Sequence, residues 1–254
     1  MDIEKAIESI WENARRGIHY PVEWHGKFTL ANAYQVQLGI LGRYLAEGES
    51  QAGWKVGVTS KAMQEQQGVN EPVFGFLLAS GNRSSGVIFQ NQSLIKPGFE
   101  NELCLTLGDR LRGPGVTIEQ ARAAIASVAP ALEIIERRGK FGDLPLSLAD
   151  NAQQKAFVTG APTSPLDPAF DLSATTLEVF VDGELADQAA ATAVMGNPAA
   201  SIAWLANKLA EFNLALEAGM RVMSGSFTRQ HPVDAPARVE ARFSPFGSVT
   251  AQFV

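Results

Sequence analysis

The 254-residue chain has few of the features that would place a protein outside a reducing compartment or in a membrane. It contains one cysteine, Cys104, which excludes an internal disulfide and is typical of the reducing cytoplasm. No apolar run approaches the roughly 18 residues of a membrane span, and the first residues, Met-Asp-Ile-Glu-Lys, do not resemble a signal peptide. We therefore expect a cytoplasmic protein with no membrane partner.

Basic clusters and motifs for nucleophilic hydrolysis are also missing. The net charge is −6 and no stretch is rich in Lys or Arg, so the chain does not have the electrostatic pattern of a nucleic-acid binder. The three histidines, at positions 19, 25 and 231, have no Ser or Cys partner at a recognisable spacing, which leaves a catalytic triad unsupported. No glycine-rich phosphate loop is present.

The hydrophobic pattern changes near residue 50. Apolar stripes, a capping Thr29 and a helix-initiating Pro198 predict helices over 2–16, 29–47, 117–127 and 198–212. Short β-rich runs predict strands over 54–58, 87–90, 100–107, 131–136, 156–159, 176–181, 221–224, 238–243 and 248–254. This order indicates an α+β fold with a β-rich sandwich or roll core, divided into an N-terminal helical region (1–50) and a main domain (51–254).

Two acids share one face of the strand that follows Pro97. Side chains alternate across a strand, so Glu100 and Glu102 lie on the same face, roughly 7 Å from each other. Cys104 and Thr106 share this face. A third acid, Glu133, is the only charge in an apolar run typical of a buried strand. The cysteine is interpreted as small core filling.

Two interpretations of these acids remain open. Glu-x-Glu on a strand commonly marks the solvated face of an antiparallel sheet. The buried position predicted for Glu133 favours a metal site instead, because a buried carboxylate must be protonated, paired or bound to a cation. Oxygen ligands suit Mg²⁺, Mn²⁺ or Ca²⁺.

Three further segments have a structural and a functional interpretation. Lys55 lies in Gly-Trp-Lys-Val-Gly-Val; it either extends its ammonium to water or is a desolvated lysine that binds a carboxylate or moves a proton, with a pKa lowered by burial. Asp150 and Asn151 read as a polar turn before a strand. The hydroxyl-rich segment 224–229 suits either an anion-binding loop or an ordinary turn.

Several segments together resemble the 2-oxo acid hydratase and decarboxylase branch of the fumarylacetoacetate hydrolase superfamily. They are Gly-Trp-Lys-Val-Gly-Val-Thr-Ser-Lys-Ala-Met-Gln (53–64), Glu-Pro-Val-Phe-Gly-Phe-Leu (71–77), Phe-Glu-Asn-Glu-Leu (99–103), Pro-Ala-Leu-Glu-Ile-Ile (130–135), Ala-Asp-Asn-Ala (149–152), Asn-Pro-Ala (197–199), Ala-Trp-Leu-Ala-Asn-Lys-Leu-Ala (203–210), Gly-Ser-Phe-Thr (225–228) and Gly-Ser-Val (247–249). The resemblance covers almost the whole chain from about residue 30, and it makes the main domain a fumarylacetoacetate-hydrolase-like catalytic domain.

The resemblance also implies roles for individual residues. Glu100, Glu102 and Glu133 match the metal ligands of the family, which bind Mg²⁺ or Mn²⁺, and Lys55 matches its active-site lysine. The substrate-binding residues implied are Lys55, Val73, Phe74, Asp150, Asn151 and Ser226. One departure is Gly98, where the family usually has a basic residue, and this puts one substrate or supporting contact in doubt.

Val73 decides between the two activities of the branch. Hydratases tend to have an acid here, whereas Pro-Val-Phe-Gly-Phe-Leu resembles decarboxylases of 4-oxalocrotonate, which is 2-oxo-3-hexenedioate. Hydration needs a group that moves water and protons at the far end of the substrate, and decarboxylation does not. The segment Gly-Ser-Phe-Thr-Arg (225–229) instead resembles hydratases of seven-carbon dioic acids. We favour the decarboxylase, with a hydratase of 2-hydroxypenta-2,4-dienoate or 2-oxohept-4-ene-1,7-dioate as the alternative.

The expected partners follow from this resemblance. The substrate would be a small 2-oxo dicarboxylic acid, and the chain would form a homo-oligomer, with a paired hydratase as a possible further partner. A regulatory subunit that binds the same ligand without turnover is the non-enzymatic alternative; the acid triad and Lys55 argue against it.

Overall fold

Side-chain caps begin the two long N-terminal helices. The computed structural model describes residues 1–139 and 142–254. Helix α1 (Ile3–Arg15) begins after Asp2, whose carboxylate accepts the backbone N–H of Lys5. Helix α2 (Leu30–Ala46) begins after Thr29, which forms a reciprocal capping box with Asn32. Both predicted helices are confirmed.

Four further α-helices follow among the described residues: α3 (Lys61–Gln66), α4 (Ile118–Ala123), α5 (Leu144–Ala149) and α6 (Pro198–Ala210). Pro198 occupies the first turn of α6, as predicted, and the structure shows in addition that Asn197 caps this helix. The helix predicted over 117–127 is shorter than expected, because the chain becomes a strand at Ile125. From Ile125 onward the residues pair with a long neighbouring strand, and this pairing overrides the local helical pattern.

Every predicted strand is present, and several short ones were not predicted. The strands are β1 (Gln51–Gly57), β2 (Val73–Leu78), β3 (Asn82–Ser84), β4 (Val87–Phe89), β5 (Pro97–Leu107), β6 (Ile125–Glu136), β7 (Gln154–Thr159), β8 (Thr176–Val181), β9 (Glu184–Ala190), β10 (Arg221–Met223), β11 (His231–Pro232), β12 (Ala237–Ser244) and β13 (Gly247–Phe253). The sequence prediction missed β2, β3, β9 and β11. All four are short or at a sheet edge, where the period-2 signal is weak.

The described strands form two sheets. The main sheet has the order β2-β1-β10-β5-β6-β7-β3, with β11 also paired to β5, and the second sheet has the order β4-β13-β12-β8-β9. Most of the pairings in the main sheet are antiparallel, and β1 pairs with β10 in parallel. Helices pack around these curled sheets, so the predicted α+β class with a β-rich core is confirmed.

The strand register defines two faces of the main sheet, which we call inner and outer. Cα partners put Lys55 opposite both Gly75 and Met223, and Met223 opposite Cys104. Paired residues point to the same side, so these residues share the inner face with Glu100 and Glu102. Cys104 is buried there with Leu77, Ala129, Ala131, Phe157 and Met223.

The N-terminal helices pack against the outer face. Tyr34 of α2 stacks on Phe74 of β2 with the ring centroids 4.3 Å apart, and Trp54 of β1 meets Phe74 edge-on. The buried side chains of α1 and α2 therefore belong to the same hydrophobic core as those of the main sheet. The division of the chain at residue 50 stays a prediction. Among the described residues, none of the helices combines the length and the hydropathy that a membrane crossing requires.

Candidate active site

Three carboxylates meet on the inner face of the main sheet. Glu100 and Glu102 come from β5, and the register places Glu133 of β6 directly opposite Glu100. One carboxylate oxygen from each of the three lies within 4.8 Å of the others. Glu102 and Glu133 are fully buried and Glu100 is partly exposed at the rim. The arrangement therefore opens to solvent on the side of Glu100.

Most of the buried carboxylate oxygens have no hydrogen-bond donor. Among the described residues, three of these oxygens have no hydrogen-bond partner: both oxygens of Glu133 and Oε1 of Glu102. Oε2 of Glu102 accepts the backbone N–H of Gly225 at 2.8 Å. Unpaired buried carboxylates are costly, and three convergent oxygens match what a hard divalent cation takes as ligands. The residues present fit a metal ion such as Mg²⁺.

The pKa values of the three acids in the metal-free protein reflect the same excess of negative charge. Burial and repulsion from Glu133 raise the pKa of Glu100 to about 7, although Lys55 opposes the shift. Burial, with repulsion from both neighbouring acids, holds the pKa of Glu102 well above its usual range. Burial also raises the pKa of Glu133, against the attraction of Lys55. A bound cation would remove this conflict, because opposite charge favours the ionised form.

Lys55 reaches these acids across the curl of the sheet. Its strand lies three positions from that of Glu133, roughly 14 Å along a flat sheet. Nonetheless Lys55 Nζ lies 3.4 Å from Glu133 Oε1, and also 3.4 Å from the carbonyl oxygen of Ala152. The lysine is 4% exposed, which excludes the interpretation that its ammonium extends to water.

The pKa of Lys55 lies on the opposite side of its ordinary value from the one predicted. Burial lowers this pKa, as the sequence-based interpretation assumed, but the charges of Glu133 and the two other carboxylates outweigh burial and raise it. In the metal-free protein the three carboxylates therefore keep Lys55 protonated, and it is not a neutral base. Its contact with Glu133 is an ion pair at the edge of hydrogen-bonding distance.

Glycines make room for Lys55 and its apolar neighbour. A Cβ on Gly57 would lie 3.5 Å from Val73 Cγ2 and 3.6 Å from Lys55 Nζ, so both side chains approach Gly57 on the inner face. A Cβ on Gly75 would lie 3.2 Å from Lys55 Cε and 2.8 Å from Asn151 Oδ1. Gly75 therefore allows the lysine side chain and the Asn151 amide to pack over the same strand.

The loop 224–229 closes the other side of the acid cluster. Ser226 Oγ accepts the backbone N–H of Asn101, the residue between Glu100 and Glu102, at 3.3 Å. Gly225 has a φ of 105°, and a Cβ there would lie 2.5 Å from Thr59 Cγ2. Only glycine fits this close approach, which brings the Gly225 N–H to the carboxylate of Glu102.

Two of the predicted substrate-binding residues lie away from the acids. Phe74 is fully buried on the outer face, between the rings of Tyr34, Trp54 and Phe212, which makes it a core residue. Asp150 forms an ion pair with Arg138, with Asp150 Oδ2 2.5 Å from Arg138 Nε, and borders a cavity of about 900 Å³ under the N-terminal helices. Alternation of side chains along the strand explains why Phe74 lies on the outer face, since it directly follows Val73, which lies on the inner face.

Asn151 occupies an intermediate position. It is buried beside Lys55, but its amide binds the backbone of Phe76. The structure thus brings Lys55, Val73, Ser226 and the three acids together and places Phe74 and Asp150 apart from them. Their roles in binding and catalysis stay predictions.

Sequence reasoning missed the backbone groups of the site. The carbonyl of Ala152 and the N–H of Gly225 contact Lys55 and Glu102, and a main-chain group carries no residue-specific signal. Gly75, between two phenylalanines, was the available hint, because an isolated glycine in a strand often marks close packing.

Sequence comparisons give two close groups of relatives. The chain is 36% identical to 2-hydroxyhexa-2,4-dienoate hydratase from Comamonas testosteroni over 234 residues, covering 90% of this chain and 88% of that protein. It is also 36% identical to 4-oxalocrotonate decarboxylase from Pseudomonas sp. strain CF600 over 256 residues, covering 96% and 94% of the two chains. The relatives are thus enzymes, and identity does not separate the two activities.

Solved structures show the same relationship. The 4-oxalocrotonate decarboxylase from Pseudomonas putida G7, complexed with magnesium and adipate, superposes with a TM-score of 0.92 at 33% identity, covering 99% of this chain and 97% of that one. The same enzyme with calcium and acetate gives a TM-score of 0.91 at 34% identity and the same coverage. The family model of the fumarylacetoacetate (FAA) hydrolase C-terminal region matches residues 50–254. The chain belongs to the fumarylacetoacetate hydrolase family.

Proposed function

We propose that the protein is a divalent-metal-dependent lyase that decarboxylates 2-oxo-3-hexenedioate (4-oxalocrotonate) to 2-hydroxypenta-2,4-dienoate in the meta-cleavage degradation of aromatic compounds. The observation that carries the proposal is the buried group of three carboxylates with unpaired oxygens beside the buried Lys55. Its relatives at 36% identity include a 4-oxalocrotonate decarboxylase, and a solved decarboxylase of the same fold holds magnesium with adipate, a six-carbon dicarboxylate.

Glu100, Glu102 and Glu133 would hold Mg²⁺ or Mn²⁺. When bound, this ion would supply Lewis acidity and a positive charge close to the 2-oxo group of the substrate. Three carboxylate ligands leave about three octahedral positions for other ligands. Gly225 would keep Glu102 in a fixed orientation, because its N–H already binds the second carboxylate oxygen.

Lys55 would bind the C1 carboxylate or the 2-oxo oxygen and neutralise the charge that develops there. In decarboxylation the bond between C5 and C6 breaks, and its electron pair becomes the C4–C5 double bond. The former C3–C4 double bond shifts to C2–C3, and the 2-oxo oxygen takes a proton. Lys55 is buried and would lie next to this oxygen, where its ammonium would donate the proton.

Val73 would line the apolar side of the pocket. Its Cγ2 methyl group and the ammonium of Lys55 both lie close to Gly57 on the inner face, whereas Phe74 and Phe76 point to the outer face. An apolar neighbour favours loss of a carboxylate as neutral CO₂, whereas hydration needs a group that positions water. Val73 provides no such group.

The deciding experiment is to identify the product of each substrate. The purified protein with Mg²⁺ should release CO₂ from 2-oxo-3-hexenedioate and should hydrate 2-hydroxypenta-2,4-dienoate more slowly by about 10²-fold or more. Val73→Asp should slow decarboxylation, because its charge would repel the carboxylate of the substrate, and Val73→Leu should preserve activity within a few-fold. Hydration of the dienoate at a rate comparable with decarboxylation would overturn the proposal.

A hydratase is the second candidate, because the 36% identity to 2-hydroxyhexa-2,4-dienoate hydratase equals the identity to the decarboxylase. In that case the same acids and Lys55 would bind the same C1–C2 end, and water would add to the diene. We also propose a homo-oligomer in the cytoplasm, open to a complex with a paired hydratase, and a catalytic domain that begins near residue 51. Light scattering of the purified chain, with and without a hydratase, tests the assembly.

A further inference from the structure

A strained turn lies beside Lys55. Asn151, Ala152 and Gln153 have φ values of 57°, 49° and 64°, so three consecutive non-glycine residues adopt the left-handed conformation. Such residues persist only where their surroundings enforce the conformation, and strain of this kind is concentrated at functional sites.

The side chain of Asn151 ties the turn to the edge of the main sheet. Its Oδ1 accepts the backbone N–H of Phe76 at 2.8 Å, and its Nδ2 donates to the carbonyl of the same residue at 3.0 Å. Because β2 is the last strand at this edge of the sheet, these two groups have no strand partner among the described residues. The Asn151 amide therefore takes the place of a neighbouring strand.

The rest of the turn is anchored on its far side. Arg138 donates to the carbonyl of Asp150 at 2.9 Å, and Gln153 donates to the Tyr20 hydroxyl at 3.1 Å. Between these anchors the carbonyl of Ala152 points to Lys55 Nζ, 3.4 Å away. The Asn151 oxygen and Lys55 Cε both crowd the open side of Gly75.

We infer that Asn151 is a positioning residue for Lys55. By holding the turn against Phe76, it places the Ala152 carbonyl where it fixes the Lys55 ammonium beside Glu133. It acts through the lysine and not on the substrate, because its oxygen and its amide nitrogen are both engaged by the Phe76 backbone. The inference rests on the role of Lys55 in the proposed function.

The chain contains a matched control. Asn207 of α6 accepts the N–H of Val116 at 2.9 Å and donates to its carbonyl at 2.9 Å, the same pair of hydrogen bonds to one backbone residue. In the described part of the chain, neither Asn207 nor Val116 forms a hydrogen bond with Lys55 or with the three acids. Removal of the Asn207 amide therefore measures how much stability is lost with such a pair of hydrogen bonds when Lys55 is not affected.

The first test compares Asn151→Gly with Asn207→Ala, each replacement being suited to the local backbone. We expect Asn151→Gly to lower kcat by about 10- to 100-fold with KM within about threefold, since misplacement of a catalytic group by about 1 Å has effects of this size. Asn207→Ala should lose a similar amount of thermal stability with kcat within about twofold. Equal kcat in the two variants would overturn the inference.

A double-mutant cycle separates positioning from general structural damage. In a Lys55→Ala background, Asn151→Gly should lower the residual activity by less than about twofold, because the group it positions is gone. A full additional loss in that background would show that Asn151 acts independently of the lysine.

Gly75→Ala is the second variant, because its methyl group would displace both the Asn151 amide and the Lys55 side chain. Gly42→Ala is its control, because Gly42 has open space around it.

The last measurement does not depend on turnover. Acetic anhydride labelling followed by mass spectrometry should modify Lys55 at least about fivefold faster in Asn151→Gly than in the unmodified protein, because the lysine is released to solvent. Lys155, 45% exposed in its side chain, serves as the internal reference and should not change. Unchanged labelling of Lys55 would overturn the inference. A lack of activity on both proposed substrates would overturn the proposed function alone.

Discussion

Strand β6 carries two buried glutamates, Glu133 and Glu136, whose surroundings differ completely. On the inner face Glu133 joins two other carboxylates, with the single ammonium of Lys55 against them. On the outer side Glu136 and Asp150 share Arg138, and Glu136 also accepts the N–H of Ile95 and lies 3.6 Å from Lys155 Nζ. One cluster has more acceptors than donors and the other is balanced.

This difference shows which feature of a buried charge points to a site. Burial is common to both clusters, and the outer one is nearly as inaccessible, with 7% exposure for the Arg138 side chain. Only the inner cluster leaves carboxylate oxygens without a donor. Native structures rarely retain such groups without a further ligand. The excess of acceptors, and not burial itself, distinguishes the candidate metal site, whereas the charge of Asp150 is balanced by Arg138.

The largest effect expected from this comparison concerns the metal. Chelation should lower kcat/KM by more than about 10³-fold and Mg²⁺ should restore it, since a bound ion contributes several kcal/mol of charge stabilisation. Calorimetry should show Mg²⁺ binding weakened about tenfold or more in Glu133→Gln. Glu136→Gln, changed in the same way on the same strand, should bind Mg²⁺ within about twofold of the unmodified protein. Full activity in excess chelator would rule out the site.

Stability should respond in the opposite sense at the two clusters. Arg138→Met removes the cation that the buried Glu136 shares with the half-buried Asp150, leaving, among the described residues, only the half-exposed Lys155 near Glu136, and should lower the free energy of unfolding by about 3–5 kcal/mol. Glu102→Gln should instead stabilise the metal-free protein, because it removes one of three mutually repelling acids. Urea unfolding in chelator measures both. A loss of stability in Glu102→Gln as large as that in Arg138→Met would contradict the distinction.

The two lysines allow the same comparison for activity. Lys55→Ala should lower kcat/KM by about 10²-fold, the scale of lost electrostatic or acid–base assistance, with Mg²⁺ affinity little changed. Lys155→Ala removes a half-exposed ion pair to Glu136 and should leave kcat/KM within about twofold. Steady-state kinetics with the same substrate would test the pair, and similar rates for both variants would place Lys55 outside the mechanism.

The smallest effect is a pH dependence of the metal-free fold. The pKa of Glu100 in the folded protein is about 7, above its ordinary value of 4.5, so the folded state holds this proton more tightly than the unfolded state. The stabilisation is present below about pH 4.5 and is lost as the pH rises towards 7. Melting in chelator should show a Tm that falls over this range and a weaker slope in Glu100→Gln. A Tm that rises with pH in both proteins would contradict it.

Local sequence patterns account for most of the fold. The caps at Thr29 and Asn197 and the alternation along β5 depend on neighbours in the chain, and each predicted element they support is present. The turn Asp182-Gly183, with φ values of 52° and 87°, joins β8 to β9 as its residue types indicate. The predictions failed where pairing with distant residues decides the structure, at Ile125 and in the edge strand β2.

The sequence by itself determined which residues carry charge on which face of a strand, because the side-chain period is a local property. It therefore placed Glu100 and Glu102 together, singled out Glu133, and suggested the family through ordered motifs. Only the tertiary structure decided that a lysine three strands away reaches Glu133, that Asp150 lies on the outer side, and that the Asn151 amide binds the backbone of Phe76. Those relations depend on the curl and register of the sheet, which many distant contacts set together and no local pattern encodes.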